Sequence, residues 1–277
     1  MKGFRSVFTT ALFAAILMFG NLFLSSCSKS DDAPTSTPRN YVLVHGAWQG
    51  PYVWDAVKAN LEQKGNHVTV VELPGHGSDP TPPQTISLDT YKSKVLDAIS
   101  KIDGKVILVG HSLSGMVISS VAEQIPTKIE KLVYVAAYLP TSGQSLKNLA
   151  DMDSLTSQLP RNLIITGGPT ADIKQDQIVN IFIQDGTPAI QNLVLQNYRA
   201  EPLYPLTNPV TLTTANFGSV EKVYIKTLQD NAVSPALQDI MTQSTKVNSI
   251  YKLNTSHCPF HSKPDSLSVL LIKIAQL

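Results

Sequence analysis

Cysteine is nearly missing from the chain: Cys27 and Cys258 are the only two in 277 residues. That number is too small for a disulfide framework or a cysteine-rich zinc site. Charge is scarce and balanced, with 22 basic residues against 21 acidic ones. No run of like charge is present to track phosphates, which excludes nucleic acid as a partner. The only glycine pair that could suggest a phosphate cradle, Gly167-Gly168, is too short and lacks a following lysine. His76 has no second ligand at metal-binding spacing and reads as part of a turn, so no metal and no cofactor are expected. No internal repeat is visible. What the chain does have is apolar residues, 43% of the total, enough for a sizeable core and incompatible with disorder.

The N-terminus reads as an export address. Lys2 and Arg5 precede an apolar stretch from Val7 to Leu24, which ends in Leu24-Ser25-Ser26-Cys27. These last four residues resemble the bacterial lipobox, which implies a signal peptide over residues 1–26, lipidation of Cys27 and attachment to the membrane of a bacterial cell envelope, facing the periplasm or the outside. An uncleaved membrane helix of about the minimum spanning length is the alternative. Residues 27–39 contain two prolines, small polar residues and no large apolar side chain. They read as a flexible tether.

From Asn40 to the C-terminus, short β-rich apolar runs alternate with longer helical patterns. The strand candidates are Tyr41–Val44, His67–Glu72, Val106–Val109, Lys131–Ala136, Lys222–Thr227 and Asn248–Leu253. Between and after them, Tyr52–Lys64, Leu88–Ile102, Ser114–Gln124, Pro235–Thr242 and Pro264–Ala275 carry apolar residues at spacings of three and four. Near-continuous apolar strands alternating with helices predict an α/β domain whose mostly parallel sheet of about six strands is covered on both faces. The rhythm breaks from about residue 139 to 213, where prolines punctuate weakly helical segments. This stretch reads as a helical cap inserted into a single domain, 40–277. Its apolar residues, Ile181, Phe182, Leu193 and Tyr198, read as the cap's own core.

Chemistry enters where the third strand meets a helix, at Gly110-His111-Ser112-Leu113-Ser114-Gly115. A serine on such a turn is exposed at the carboxyl edge of the sheet, provided its neighbours two places away are small. Gly110 meets that need, while Ser114 stands where glycine is usual. A serine hydroxyl needs a base, and the base needs a carboxylate to hold its tautomer. Asp230 follows the fifth strand candidate and His257 the sixth, giving the order Ser, Asp, His. His261 is the alternative base, and Asp239 reads as a solvated helix residue. Amide donors for a tetrahedral oxyanion are expected from Leu113, directly after the serine, and from Ala47, in the loop His45-Gly46-Ala47-Trp48, with His45 orienting that loop. Cys258 reads as a small buried side chain beside the base.

Leu43 to Ala47, Trp54, Leu73 to Gly77, Gly110 to Gly115, Ala136 to Pro140, Tyr224 to Gln238 and Ser256 to Pro264 together resemble the α/β-hydrolase branch that holds plant methylesterases, hydroxynitrile lyases and bacterial esterases. The similarity runs from about Tyr41 to the C-terminus and is weakest over the cap. It implies an α/β-hydrolase fold, a cofactor-independent serine hydrolase acting on a small-molecule ester, and Ser112, Asp230 and His257 as nucleophile, acid and base. Three positions separate the two activities in this family. The lyases carry threonine where Gly46 stands, glutamate where His111 stands and lysine where Cys258 stands. Ester hydrolysis is therefore expected, with cyanohydrin cleavage on the same triad, or a non-catalytic ligand-binding surface lipoprotein, as alternatives. The oligomeric state is open, and a homodimer is compatible.

Overall fold

A computed structural model describes residues 37–165 and 167–277. The expected signal peptide, Cys27 and most of the expected tether lie outside the described residues.

Six strands form one sheet: β1 (Asn40–Val44), β2 (His67–Val71), β3 (Val106–His111), β4 (Ile129–Val135), β8 (Lys222–Thr227) and β9 (Ser249–Leu253). Their order is β2-β1-β3-β4-β8-β9, and every pairing is parallel. The expected α/β-hydrolase architecture is thus the observed one, with strand limits moved by at most two residues. Burial follows position in the sheet. Val106 to His111 are all buried, as an inner strand with both faces covered requires. The edge strands β2 and β9 are only partly covered.

The covering helices are α1 (Asp55–Gln63), α2 (Leu88–Ser100), α3 (Ser114–Gln124), α9 (Pro235–Ser244) and α11 (Pro264–Ile274). α1 packs against α11 and α2 against α3. The predicted helix from Tyr52 starts instead as a 3₁₀ turn over Pro51–Trp54, with Pro51 at its first position, where its fixed φ suits a helical turn. α2 opens on a reciprocal cap in which Ser87 and Thr90 each satisfy the other's backbone.

Between β4 and β8 the chain forms five short helices, α4 (Leu146–Met152), α5 (Leu159–Asn162), α6 (Ile178–Phe182), α7 (Pro188–Asn197) and α8 (Leu203–Thr207). It also forms a small antiparallel sheet, β5 (Leu163–Ile164), β6 (Thr170–Ile173) and β7 (Glu201–Pro202), in that order. The sequence reading anticipated the helices but not this sheet, whose strands are too short to show a period of two. A short helix, α10 (Pro259–Ser262), precedes α11. Among the described residues, no helix is long and apolar enough to cross a membrane.

The sheet order reverses between β1 and β3. In an open parallel sheet the loops leaving two such strands diverge to opposite faces and leave a crevice at their carboxyl ends. The loop carrying Gly46 leaves β1 there, and the turn carrying Ser112 leaves β3.

Candidate active site

Ser112 sits between β3 and α3 in the left-handed region, with φ of +53°. For a non-glycine residue this conformation costs about 1–3 kcal/mol. The turn is held by its surroundings: the Ser112 amide donates to the Val135 carbonyl at 3.3 Å and its carbonyl accepts from the Tyr138 amide at 3.0 Å. The buried Val106, Ile107, Leu108 and Val109 side chains of β3, each contributing about 1.5–3 kcal/mol, outweigh the strain and fix the platform. Close packing explains the flanking glycines. A methyl at Gly110 would lie 2.8 Å from the Ser114 carbonyl oxygen, and one at Gly115 would lie 1.9 Å from that of Tyr138. Ser114 has a use of its own, since its hydroxyl donates to the His45 carbonyl and ties the start of α3 to the loop after β1.

His257 and Asp230 meet as expected. His257 Nδ1 lies 2.8 Å from Asp230 Oδ2, and both side chains are buried. A carboxylate at that distance accepts the Nδ1–H, which leaves the Nε2 lone pair available as a base. Asp230 is itself anchored. Its Oδ1 accepts from the Ala232 and Val233 amides, each at 2.8 Å, and its Oδ2 from the Thr227 hydroxyl at 2.7 Å and Gln238 Nε2 at 3.3 Å. Ser112 Oγ has no hydrogen-bond partner within 3.5 Å among the described residues. This is common where a catalytic hydrogen bond tightens only around substrate.

The loop after β1 presses directly on the serine. A methyl at Gly46 would stand 2.7 Å from Ser112 Cβ and 2.8 Å from His111 Nδ1, so this loop geometry requires glycine. Neither the Ala47 nor the Leu113 amide donates to another described residue. Both are free for a developing oxyanion, with the positive end of the α3 dipole beside them. His45 supports the loop: its Nδ1 faces the Gly46 carbonyl at 2.9 Å and its Nε2 accepts from the Leu73 amide at 3.1 Å. Burial pushes its pKa down to about 3.

The remaining histidines fall into distinct roles. His261 lies on α10, with Nε2 3.3 Å from Gln49 Oε1 and its ring stacked on Tyr52. It makes no bond to Asp230, so His257 is the imidazole that the carboxylate orients. His111 Nε2 lies 2.9 Å from the His257 carbonyl and supports the loop that carries His257; burial, reinforced by His257, holds its pKa well below the ordinary value. Cys258 is buried, burial raises its thiol pKa, and it accepts a hydrogen bond from Gln49 Nε2. Asp239 pairs with Lys226 on the surface of α9, as a solvated helix residue does.

Several contributors were invisible in the sequence. Phe182, read there only as cap core, lies with its ring 5.8 Å from that of His257 and 5.7 Å from that of Trp48, so it packs over the His257 imidazole. Thr227 and Gln238 carry no motif, although Gln238 stands eight residues after the acid on the inner face of α9. Nothing in a one-dimensional pattern joins Glu201 to His76, yet Glu201 Oε2 and His76 Nε2 lie 2.8 Å apart with both side chains buried. Among the described residues, no group of three acidic, histidine or cysteine side chains is placed to hold a metal ion.

This fold and constellation define a class. Residues 41–268 match the model of the Alpha/beta hydrolase family, and the chain belongs to it. Within the family its relatives include proteins named as methylesterases. The chain is 35% identical over 267 residues to the Arabidopsis thaliana protein named "Putative methylesterase 11, chloroplastic", spanning 92% of this chain and 68% of that one. It is 30% identical to methylesterase 7 of the same plant, over 86% of this chain and 96% of that one. An extracellular alpha/beta-hydrolase from a Paenibacillus species superposes with a TM-score of 0.74 at 25% identity, over 85% of this chain and 98% of that one. Polyneuridine aldehyde esterase, at 23% identity, shares the fold with a TM-score of 0.79, covering 86% of this chain and all of that one.

Proposed function

We propose that the protein is a serine esterase that cleaves small to medium, partly apolar carboxylic esters through an acyl-enzyme. The observation that carries this reading is the buried, fully bonded Asp230 carboxylate 2.8 Å from His257 Nδ1, at the sheet edge where the strained Ser112 stands. Ser112 Oγ attacks the ester carbonyl carbon while His257 Nε2 takes its proton. The oxygen becomes an oxyanion facing the Ala47 and Leu113 amides. Collapse of the intermediate expels the alcohol, which takes the proton from His257. Water, deprotonated in turn by His257, attacks the acyl carbon and releases the acid and Ser112. Similarity to methylesterases supports the ester as substrate class.

The same loop weighs against cyanohydrin cleavage. Gly46 leaves no room for the threonine that the lyases carry, and the buried Cys258, whose pKa burial raises, offers no positive charge to departing cyanide. Residues 40–277, assayed on a panel of esters varying in acyl and alcohol size, should turn over in a Ser112-dependent manner. Ser112→Ala should lower kcat by about three orders of magnitude or more. Rapid Ser112-dependent release of cyanide from mandelonitrile, with no ester hydrolysed, would reverse the assignment.

We further propose that Cys27 is lipidated and anchors the domain to a bacterial envelope through residues 28–39, on the strength of the lipobox-like Leu24-Ser25-Ser26-Cys27. In a bacterial host, Cys27→Ser should abolish incorporation of a labelled fatty acid. Labelling that persists would refute the anchor.

A further inference from the structure

Glu201 is fully buried in β7, and an unpaired carboxylate is not tolerated in such a place. It is completely partnered. Its Oε2 accepts from His76 Nε2 at 2.8 Å and from the Trp48 amide at 3.1 Å, and its Oε1 accepts from the Tyr91 hydroxyl at 2.8 Å. The other nitrogen of His76, Nδ1, lies 3.1 Å from the Pro74 carbonyl oxygen, which can only accept. Both ring nitrogens therefore carry hydrogen, and His76 is an imidazolium paired with the Glu201 carboxylate. Burial opposes that charge, but the nearby carboxylate and its hydrogen bond outweigh burial and raise the His76 pKa. The other groups around the pair do not replace it. Tyr91 and His45 present their rings at 5.8 and 5.0 Å, and the Arg199 charge works against the imidazolium.

The residue so held adjoins the oxyanion loop. Trp48 follows Ala47 and has φ of +59°, a conformation that a tryptophan keeps only when its surroundings impose it. Three bonds from the segment after β4 impose it. The Trp48 amide donates to Glu201 Oε2, its carbonyl accepts from the Arg199 amide at 3.0 Å, and its Nε1 donates to the Ala171 carbonyl at 3.1 Å. Of these partners only Glu201 is a side chain. We propose that Glu201, braced by His76, is a positioning residue that clamps the Ala47-Trp48 turn and so aims the Ala47 amide at the oxyanion. The inserted segment would then complete the catalytic machinery as well as cover it.

This inference rests on the esterase reading, and its test separates the two. Glu201→Gln keeps the side chain's size but removes the charge that fixes His76 as a double donor. Tyr91→Phe removes one buried hydrogen bond to the Glu201 oxygen that does not face the loop. Both variants should lower Tm. Only Glu201→Gln should lower kcat, by about 10–100-fold, part of the effect of removing an oxyanion donor outright, with KM changed less than about twofold. Its affinity for a trifluoromethyl ketone, which mimics the tetrahedral intermediate, should fall by the same factor as kcat/KM. Inhibition by the product acid should stay constant. If Glu201→Gln does not fold, His76→Gln, which still donates to Glu201 but carries no charge, takes its place with the same expectation. Ser112-dependent turnover at wild-type kcat in the substituted protein, or an equal loss of kcat in Tyr91→Phe, overturns the clamp alone. Ester turnover that survives Ser112→Ala overturns the esterase reading, and the clamp with it.

Discussion

Mild acid should destabilise this protein through buried histidines beside its candidate site. His45 Nε2 accepts a hydrogen bond from the Leu73 amide, so a proton placed there would set one N–H against another. Burial depresses its pKa to about 3, against about 6.5 in an unfolded chain. Between those values the unfolded state binds the proton and the native state does not. The stabilisation is therefore complete above pH 6.5 and is lost as pH falls, at about 1.4 kcal/mol per pH unit. By pH 5 the loss from His45 is about 2 kcal/mol. His111 is equally buried, and burial shifts its pKa in the same direction, so it steepens the loss; the His45 share alone is a sizeable part of the 5–15 kcal/mol typical of a domain. His76 has the opposite sign. Its raised pKa gives a contribution that is full below about pH 6.5 and lost as pH rises through the elevated value, so it adds no slope between pH 5 and 6. Urea unfolding followed by tryptophan fluorescence at pH 5, 6, 7 and 8 would measure this, with midpoints converted at constant m. His45→Gln should be less stable at pH 7.5 but should lose about 2 kcal/mol less than the wild type between pH 7.5 and 5. Equal slopes in the two proteins, or a wild type equally stable at pH 7 and pH 5, would refute the reasoning.

Gly115→Ala should cost more than an ordinary overpacking substitution, beyond about 3 kcal/mol, because the new methyl would stand 1.9 Å from the Tyr138 carbonyl oxygen, a backbone atom. Thermal unfolding would check this, and a drop in Tm of only a degree or two would contradict it. Asp230→Asn should leave the fold near wild type by circular dichroism while lowering kcat by about four orders of magnitude, since an amide cannot hold the Nδ1–H tautomer as a carboxylate does. A tenfold loss or less would mean that the carboxylate is structural.

The sheet and the positions of Ser112, Asp230 and His257 could be read from the chain for the same reason. Inner strands buried on both faces appear as unbroken apolar runs, as in Val106 to Val109. Ser112, Asp230 and His257 each stand just past such a run, so locating strand ends also locates the loops of the candidate site. The loop after β1 was legible because a close approach to Ser112 leaves glycine as its mark at position 46. Other contributors leave no such mark. Thr227 and Gln238 bond to Asp230 through a packing of β8 against α9 that no motif records, and the strands of the small sheet in the inserted segment are too short to show periodicity. The pairing of His76 with Glu201 spans 125 residues. The sequence determined which side chains would sit at strand ends and face the crevice, because local propensity and burial act along the chain. Which distant groups would neutralise a buried carboxylate, and hold Trp48 and Ala47 in place, was decided only by the tertiary structure, because desolvation is felt only once the segments have been brought together.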